Sequence, residues 1–153
     1  MKVVVLKMWD NSRGAQPVSP VVLIAEDDAA TLAGWAAYVH DAGFSVVPAS
    51  SFAEAHRLMS FVRPDVLVTD IRLGEYNGLQ LAVQAGTLDP APSVIVTSGY
   101  EDPVLAAEAA RLGATFLRKP VQPADLVALI TEMVKGRSSA SGGGARRAAP
   151  GGA

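Results

Sequence analysis

The feature that most constrains this chain is a repeated alternation of short β-branched runs with longer segments of helical periodicity. Three of the runs are apolar almost throughout, as parallel strands covered by helices on both faces should be. The runs occupy 21–25, 44–47, 65–69, 93–97 and 115–117. Parallel strands joined by helices need right-handed crossovers. The pattern therefore predicts a doubly wound α/β domain of five β-α repeats, with a five-stranded parallel sheet in the order 2-1-3-4-5.

The helical segments carry their own start and stop signals. The first predicted helix has one apolar face, formed by Leu32, Trp35, Ala36 and Val39 at i, i+3, i+4 and i+7. Ser51 and Glu54 have the spacing of a capping box and predict the start of the second helix. Pro123 predicts the first turn of the fifth helix. The third helix, after Gly78, has the weakest pattern.

Charge divides the 153 residues into three parts, which we interpret as one domain between two extensions. The centre, 20–135, carries 7 basic and 14 acidic residues. An N-terminal extension, 1–19, and a Gly/Ala/Ser-rich tail, 136–153, are both slightly basic, and the tail is predicted to be disordered. An acidic centre argues against direct binding to nucleic acid.

Composition excludes further classes. The chain has no Cys, which rules out disulfide scaffolds, cysteine-ligated zinc and thiol catalysis. No apolar run approaches the roughly 20 residues that a membrane span needs, and residues 1–10 lack the pattern of a signal peptide. We therefore expect a cytoplasmic protein with no membrane partner.

Acidic residues follow two of the predicted strands. Glu26, Asp27 and Asp28 come directly after the first run, and Asp70 follows the third. In a 2-1-3-4-5 sheet these strands are neighbours, and ligands bind at their carboxyl ends. Clustered carboxylates repel unless a cation lies among them, and Mg²⁺ or Mn²⁺ suits oxygen ligands. We interpret Asp28 as an N-terminal residue of the first helix instead.

Two further strand ends supply groups that a bare metal site would not need. Lys119 follows the fifth run and can hold phosphoryl oxygens as a point charge. A hydroxyl follows the fourth run, where Thr97 and Ser98 are adjacent, and we choose Ser98 because the small Gly99 comes next. Together these groups indicate that Asp70 is a carboxylate nucleophile able to accept a phosphoryl group with the help of a metal.

Four segments, in this order and at these spacings, resemble the receiver domain of two-component response regulators, the CheY-like family, from about 20 to 135. They are VVLIAEDD, DVLVTDIRLGEYNGL, SVIVTSGY and GATFLRKP. The resemblance implies a flavodoxin-like receiver fold. It also implies a phosphoacceptor that phosphorylates and dephosphorylates itself. Such a domain serves in signalling rather than as a turnover enzyme.

The resemblance assigns roles to the acidic residues. Asp70 corresponds to the phosphoacceptor, and it also contributes to the metal site. Glu26 and Asp27 correspond to the acidic pair that holds Mg²⁺ or Mn²⁺, and the backbone carbonyl of Arg72 to a further metal ligand. Two departures stand out: Glu26 replaces the commoner Asp, and Gly74 replaces the usual Pro, which predicts a looser loop after Asp70.

The resemblance also assigns the remaining groups. Ser98 and Lys119 correspond to the hydroxyl and the lysine that complete the catalytic set, although their interval is one residue short. Ser98 and Phe116 correspond to the switch pair that reports phosphorylation. Arg72 and Tyr100 flank the site and are expected to tune hydrolysis of the acyl phosphate.

Three functions compete. The first is a stand-alone receiver that takes its phosphoryl group from a histidine kinase or a histidine phosphotransfer protein and acts through a protein target or a homodimer partner. The second is a phosphorylation-independent binding module, or a receiver fragment of a hybrid histidine kinase. The third is an enzyme on a flavodoxin-like fold. Against the third, no phosphate loop follows the first strand, and the second acid of aspartate-based phosphatases is missing at Arg72.

Overall fold

Five parallel strands form a single sheet with helices on both faces, as the alternating pattern predicts. The computed structural model describes residues 18–142. The sheet strands are β1 (Val21–Ala25), β2 (Ser45–Ala49), β3 (Val66–Asp70), β6 (Ser93–Ser98) and β7 (Thr115–Arg118). A small hairpin adds β4 (Arg72–Leu73) and β5 (Tyr76–Asn77). The helices are α1 (Ala29–Asp41), α2 (Phe52–Val62), α3 (Leu79–Ala85), α4 (Pro103–Arg111) and α5 (Pro123–Gly142).

The strand order of the sheet is β2-β1-β3-β6-β7, with every neighbouring pair parallel. Counted along the sheet strands alone, this is the predicted order 2-1-3-4-5, and the doubly wound fold is confirmed. It makes β1 and β3 neighbours, so the residues that follow them meet at one edge of the sheet.

Two apolar cores lie on opposite faces of the sheet because side chains alternate along each strand. Leu23 and Leu67 face the core beneath α2, α3 and α4. Ile24 and Val68 face the other core, beneath α1 and α5. The central strands β1 and β3 are buried along their whole length, which explains their continuous apolar sequence.

The predicted helix signals are mostly confirmed. Leu32, Trp35 and Val39 are buried on α1, as their spacing requires. At the start of α2, the Ser51 hydroxyl accepts a hydrogen bond from the Glu54 amide at 3.1 Å. The Glu54 carboxylate, however, accepts from the amide of Ser50 rather than from that of Ser51. The second hydrogen bond of the capping box is thus made by Ser50, the residue before the N-cap.

The second strand differs from the sequence expectation. The apolar run predicts a strand at 44–47, but β2 covers Ser45–Ala49 and includes Pro48, which lies opposite Ile24 in the ladder. Because β2 lies at the edge of the sheet, the missing amide of Pro48 can face away from β1. A proline that would interrupt a central strand is therefore accommodated here.

The hairpin of β4 and β5 was not predicted. Arg72 pairs with Asn77 and Leu73 with Tyr76, which leaves Gly74 and Glu75 as a two-residue turn. Gly74 has a φ of +60°, a conformation that only glycine adopts readily and that the proline ring cannot adopt. The loop that the resemblance predicts to be looser than usual thus contains a short hairpin, built around this glycine.

The fifth helix extends past the predicted domain boundary at 135. Helix α5 continues to Gly142, into the segment expected to be a disordered tail. Arg137 donates a hydrogen bond to the carbonyl of Ala91 at 2.5 Å, which ties this part of the helix to the loop before β6. The remaining tail, 143–153, and residues 1–17 of the predicted N-terminal extension lie outside the described residues. Within 18–142, no helix combines the length and the apolar character of a membrane span.

Candidate functional site

Three carboxylates meet at the carboxyl edge of the sheet, where β1 and β3 end. Glu26 and Asp27 follow β1, and Asp70 is the last residue of β3. Oxygen atoms of the three side chains lie within 4.8 Å of one another. Glu26 is 1% exposed and Asp70 is 7% exposed, whereas Asp27 faces solvent. These three residues converge as the sequence predicts. Two of the acids are buried and the third is exposed.

Lys119 joins the two buried acids. Its ammonium group lies 2.9 Å from both oxygens of Glu26 and 3.0 Å from Oδ2 of Asp70. The lysine follows β7, and its amide donates to the carbonyl of Ser98, which continues the ladder beyond the strand. The register of the sheet therefore determines where the Lys119 side chain starts.

Burial and charge oppose each other in this cluster. Burial raises the pKa of Glu26 above its usual range, although the hydrogen bond and the charge of Lys119 act in the other direction. For Lys119, burial would lower the pKa, but the hydrogen bonds and charges of Glu26 and Asp70 outweigh it and raise the pKa. Lys119 is therefore a firmly protonated cation whose charge compensates the buried acids.

The hairpin supplies backbone amides to the acids. The Gly74 amide donates to Oδ2 of Asp27 at 3.2 Å, and the Arg72 amide contacts Oδ1 of Asp70 at 3.4 Å. A proline at position 74 would have no amide to donate. The replacement of the usual proline by Gly74 thus adds a polar contact to the site.

Asp28 lies beside the cluster but has another role. It is the N-cap of α1, and its carboxylate accepts hydrogen bonds from the amide of Thr31 at 2.9 Å and from the hydroxyl of the same residue at 2.5 Å. These hydrogen bonds lower the pKa of Asp28. Its interpretation as an N-terminal residue of the helix is confirmed.

The predicted switch residues make their hydrogen bonds and packing contacts with other groups than the three carboxylates. The Ser98 hydroxyl is buried and bonds the backbone of Tyr100, accepting from its amide at 3.2 Å and donating to its carbonyl at 3.3 Å. Phe116 is half-buried and packs against the core beneath α2, α3 and α4. The Tyr100 ring is exposed, and the guanidinium of Arg72 lies 4.5 Å from its centroid. The structure therefore gathers Glu26, Asp27, Asp70 and Lys119 into one cluster, whereas the contacts of Ser98, Phe116 and Tyr100 are with other groups.

One residue that supports the site was not identified from the sequence. A Cβ atom on Gly78 would lie 1.8 Å from the carbonyl oxygen of Asp70. The Gly78 amide also donates to the carbonyl of Ile71 at 2.6 Å. The backbone before α3 thus packs directly against the residue that carries the central carboxylate. The sequence offers a glycine shortly after Asp70 as a signal, but the helical pattern that follows it predicts only the start of a helix.

Comparison with known proteins identifies the family. The profile of the response regulator receiver domain matches residues 22–131. The methanol utilization control regulatory protein MoxX of Paracoccus denitrificans is 29% identical over 82% of this chain and 57% of its own length. The transcriptional regulatory protein PrrA of Mycobacterium tuberculosis is 33% identical over 79% of this chain and 52% of its own length. The chain thus spans little more than half of these curated relatives. The alginate biosynthesis transcriptional regulatory protein AlgB of Pseudomonas syringae is 33% identical over 69% of this chain, which corresponds to 24% of its own length.

Solved structures lead to the same family. A CheY-like receiver domain protein from Methanospirillum hungatei superposes with a TM-score of 0.75 at 25% identity, covering 79% of this chain and 98% of its own. A receiver domain protein from Clostridium thermocellum gives a TM-score of 0.72 at 26% identity, covering 78% of this chain and 97% of its own. The chain belongs to the response regulator receiver domain family of two-component signalling systems.

Proposed function

We propose that this domain takes a phosphoryl group from the phosphohistidine of a partner protein onto Asp70, and that the modification switches a protein-interaction face. Membership of the receiver family supports a phosphoacceptor role in two-component signalling. The observation that carries the residue assignment is the contact set of Asp70. Its Oδ2 is bound by Lys119, whereas Oδ1 has only the long contact to the Arg72 amide among the described residues. Oδ1 is therefore the oxygen free to attack.

The carboxylates fit a hard divalent cation. Three oxygen donors within 4.8 Å and no sulfur or imidazole ligand match the preference of Mg²⁺ or Mn²⁺. Asp27 and Asp70 would bind the ion directly, with the backbone carbonyl of Arg72 as a further ligand. Glu26, whose two oxygens are both bonded to Lys119, would act from the outer shell. When bound, Mg²⁺ offsets the negative charge that develops on the phosphoryl oxygens during transfer.

In the transfer step, Oδ1 of Asp70 attacks phosphorus in line with the bond to the partner's imidazole nitrogen. The new P–O bond forms as the P–N bond breaks, and the electron pair of that bond returns to the imidazole. Lys119 then moves part of its hydrogen bonding from the carboxylates to an equatorial phosphoryl oxygen. Its charge is already in place before the reaction, so little reorganisation is needed.

The proposed switch uses groups on the α4 side of the sheet. The Ser98 hydroxyl would leave the Tyr100 backbone and donate to a phosphoryl oxygen. Phe116 would move inward behind it and change the face formed by α4, β7 and α5. Arg72 and Tyr100, which contact each other at the rim of the site, would tune the rate at which water reaches the acyl phosphate.

The partners belong to the same proposal. A histidine kinase or a histidine phosphotransfer protein would supply the phosphoryl group, and the switched face would bind a downstream protein target or a second copy. Curated relatives such as PrrA and AlgB are transcriptional regulators, and this chain corresponds to only part of each.

Intact-mass measurement after incubation with acetyl phosphate and Mg²⁺ tests the proposal. The variants are Asp70→Asn and, as a matched control, Asp65→Asn, which alters an aspartate just before the other end of β3. Asp65 accepts a hydrogen bond from the Val21 amide and lies far from the cluster in register. We expect one phosphoryl group on the wild type and on Asp65→Asn, and none on Asp70→Asn or when the metal is chelated.

Two results would contradict the proposal. Phosphorylation of Asp70→Asn at the wild-type rate would reject the acceptor. An unmodified wild type, with Mg²⁺ binding demonstrated by fluorescence titration, would favour a phosphorylation-independent binding module.

A further inference from the structure

Three aromatic rings lie in a row between the hairpin and α2. The Tyr76 ring of β5 stacks on the Phe52 ring, with centroids 4.8 Å apart and an angle of 12° between the planes. The Phe52 ring stacks in turn on the His56 ring, at 5.9 Å and 8°. Tyr76 is 57% exposed, so its stack on Phe52 lies at the surface rather than in the core. This aromatic row of Tyr76, Phe52 and His56 therefore attaches the hairpin to α2 from outside the core.

The helix end of the aromatic row is firmly held. Phe52 is the first residue of α2 and packs against the core beneath α2, α3 and α4. Nδ1 of His56, one turn later, lies 2.8 Å from Oε1 of Gln84 on α3. The amide group of the Gln84 side chain also donates to the carbonyl of His56 at 3.0 Å. The row thus rests on two helices, and the hairpin is the part that it attaches to them.

The hairpin ends in a tight turn. Leu73 and Tyr76 are the last pair before the turn, and Gly74 and Glu75 form it. Gly74 has a φ of +60°, and Glu75 is not among the residues with a positive φ, which is the pattern of a type II′ turn. Leu73 is buried in the core, whereas the two turn residues are exposed. The turn is therefore held on one strand by the core and on the other by the stack of Tyr76 on Phe52.

The turn presents an amide to one of the three carboxylates. The Gly74 amide donates to Oδ2 of Asp27 at 3.2 Å. The exposed Asp27 carboxylate forms no hydrogen bond with any other residue that the structure describes. Glu26 and Asp70, in contrast, are both bound by Lys119. Asp27 is thus the carboxylate whose direction depends on the hairpin.

We propose that Tyr76 and Phe52 are positioning residues of the metal site. Their stack holds the turn so that the Gly74 amide restrains Asp27, which then presents its other oxygen to a divalent cation. This inference rests on the proposed function, in which Asp27 binds Mg²⁺ directly. An unrestrained carboxylate loses rotational freedom when it binds an ion, and a hydrogen bond that fixes it beforehand raises metal affinity.

A titration of the unphosphorylated protein with Mg²⁺, followed by tryptophan fluorescence, tests the inference. Trp35 reports on the site, because its ring lies 5.7 Å from the ammonium nitrogen of Lys119. Tyr76→Ala and Phe52→Leu each remove one ring of the stack and should raise the Kd for Mg²⁺ about two- to tenfold, the range expected for one aromatic pair. Tyr76→Phe keeps the ring and should bind Mg²⁺ like the wild type.

Tyr38→Ala is the matched control. Tyr38 lies on α1 and is 56% exposed, almost the same fraction as Tyr76. Its ring is not part of a stacked pair within the described residues. Removing this ring deletes as much exposed aromatic surface as Tyr76→Ala does, but it should leave the Kd for Mg²⁺ unchanged.

Phosphorylation by acetyl phosphate at two Mg²⁺ concentrations separates a positioning role from general damage to the fold. At limiting Mg²⁺, Tyr76→Ala should react more slowly than the wild type, by the same factor as its affinity falls. At saturating Mg²⁺ the two rates should be equal, because Asp70 and Lys119 are unchanged. A damaged fold would lower the rate at both concentrations.

Three results would overturn the inference: a Kd of Tyr76→Ala equal to that of the wild type, an equally large loss of affinity in Tyr76→Phe, or a rate of Tyr76→Ala that stays low at saturating Mg²⁺. If Tyr76→Ala does not fold, the Kd of Phe52→Leu decides in the same way. Failure of the proposed function has a different signature, since the wild type itself would then bind no Mg²⁺ or accept no phosphoryl group.

Discussion

The central strands and the α4–β7 side of the sheet differ in how deeply they are buried. Every residue of β1 and β3 is buried, whereas β7 is half-buried in its first three residues and exposed in its last. Helix α1 buries three side chains, but α4 buries only Ala109 and exposes 75% of Val104. Elements with few buried apolar contacts open at lower free energy. The proposed phosphoacceptor Asp70 is thus attached to a deeply buried strand, and the proposed switch to elements that are less buried.

The same contrast holds for two adjacent cations. The Lys119 side chain is 23% exposed and binds Glu26, whose side chain is 1% exposed. Arg118 is 58% exposed and pairs with Glu101, which is 76% exposed. One ion pair holds the site together, and the other lies in solvent, where ion pairs contribute little. We therefore expect the Lys119 ion pair to contribute more to stability than the Arg118 ion pair.

Truncating a leucine in each region should give the largest difference. Leu67 is fully buried in β3, and Leu105 is half-buried on α4. Leu67→Ala should lower the free energy of unfolding by about 2–5 kcal/mol, because it leaves a cavity between packed layers. Leu105→Ala should cost less than half as much, because the surroundings are open. Urea denaturation measures both, and equal losses would contradict the contrast between the two regions.

Alanine substitutions at two glycines should have opposite effects on stability, one beside the site and one on the surface of α1. Gly78→Ala places a methyl group against the Asp70 carbonyl and should cost about 1–3 kcal/mol, together with a loss of phosphorylation. Gly34, exposed within α1, has open space around its missing Cβ. Gly34→Ala should instead raise stability by about 0.5–1 kcal/mol, because alanine favours the helix. Normal phosphorylation and stability of Gly78→Ala would argue against the close packing behind Asp70.

Double-mutant cycles should show a smaller difference, between the coupling energies of the two ion pairs. For Lys119→Met with Glu26→Gln we expect a coupling energy of about 1.5–3 kcal/mol, typical of buried hydrogen bonds to charged groups. For Arg118→Met with Glu101→Gln we expect about 0–1 kcal/mol. High salt should reduce only the second. Equal couplings would show that the depth of the pair does not determine its strength.

The stability of Lys119→Met should depend on pH through the buried carboxylate of Glu26. The folded-state pKa of Glu26 is raised above 4.5, and removing the lysine removes its opposing effect. A raised folded pKa contributes stability below it that is lost as the pH rises through it. The stability deficit of Lys119→Met should therefore be largest at neutral pH and shrink as the pH falls through the raised pKa of Glu26. In the double variant with Glu26→Gln this trend should disappear.

Much of the fold could be predicted from the sequence, because burial on both faces leaves continuous apolar strands and one-sided helices leave a 3.6-residue period. The meeting of Glu26, Asp27 and Asp70 followed from strand order alone. The hairpin did not, because two-residue strands leave no periodic signal and the turn depends on the φ of Gly74. Nor did the contact between Gly78 and Asp70, which depends on how closely two backbones approach in space.

Locating the phosphoryl group on the chain tests directly whether Asp70 is the acceptor. Reduction of the acyl phosphate with borohydride converts the modified aspartate to homoserine, which peptide mass spectrometry assigns to a position. We expect homoserine at position 70 in wild type treated with acetyl phosphate and Mg²⁺, and not in untreated protein. Homoserine at position 27, or at any other aspartate with residue 70 unchanged, would contradict this assignment.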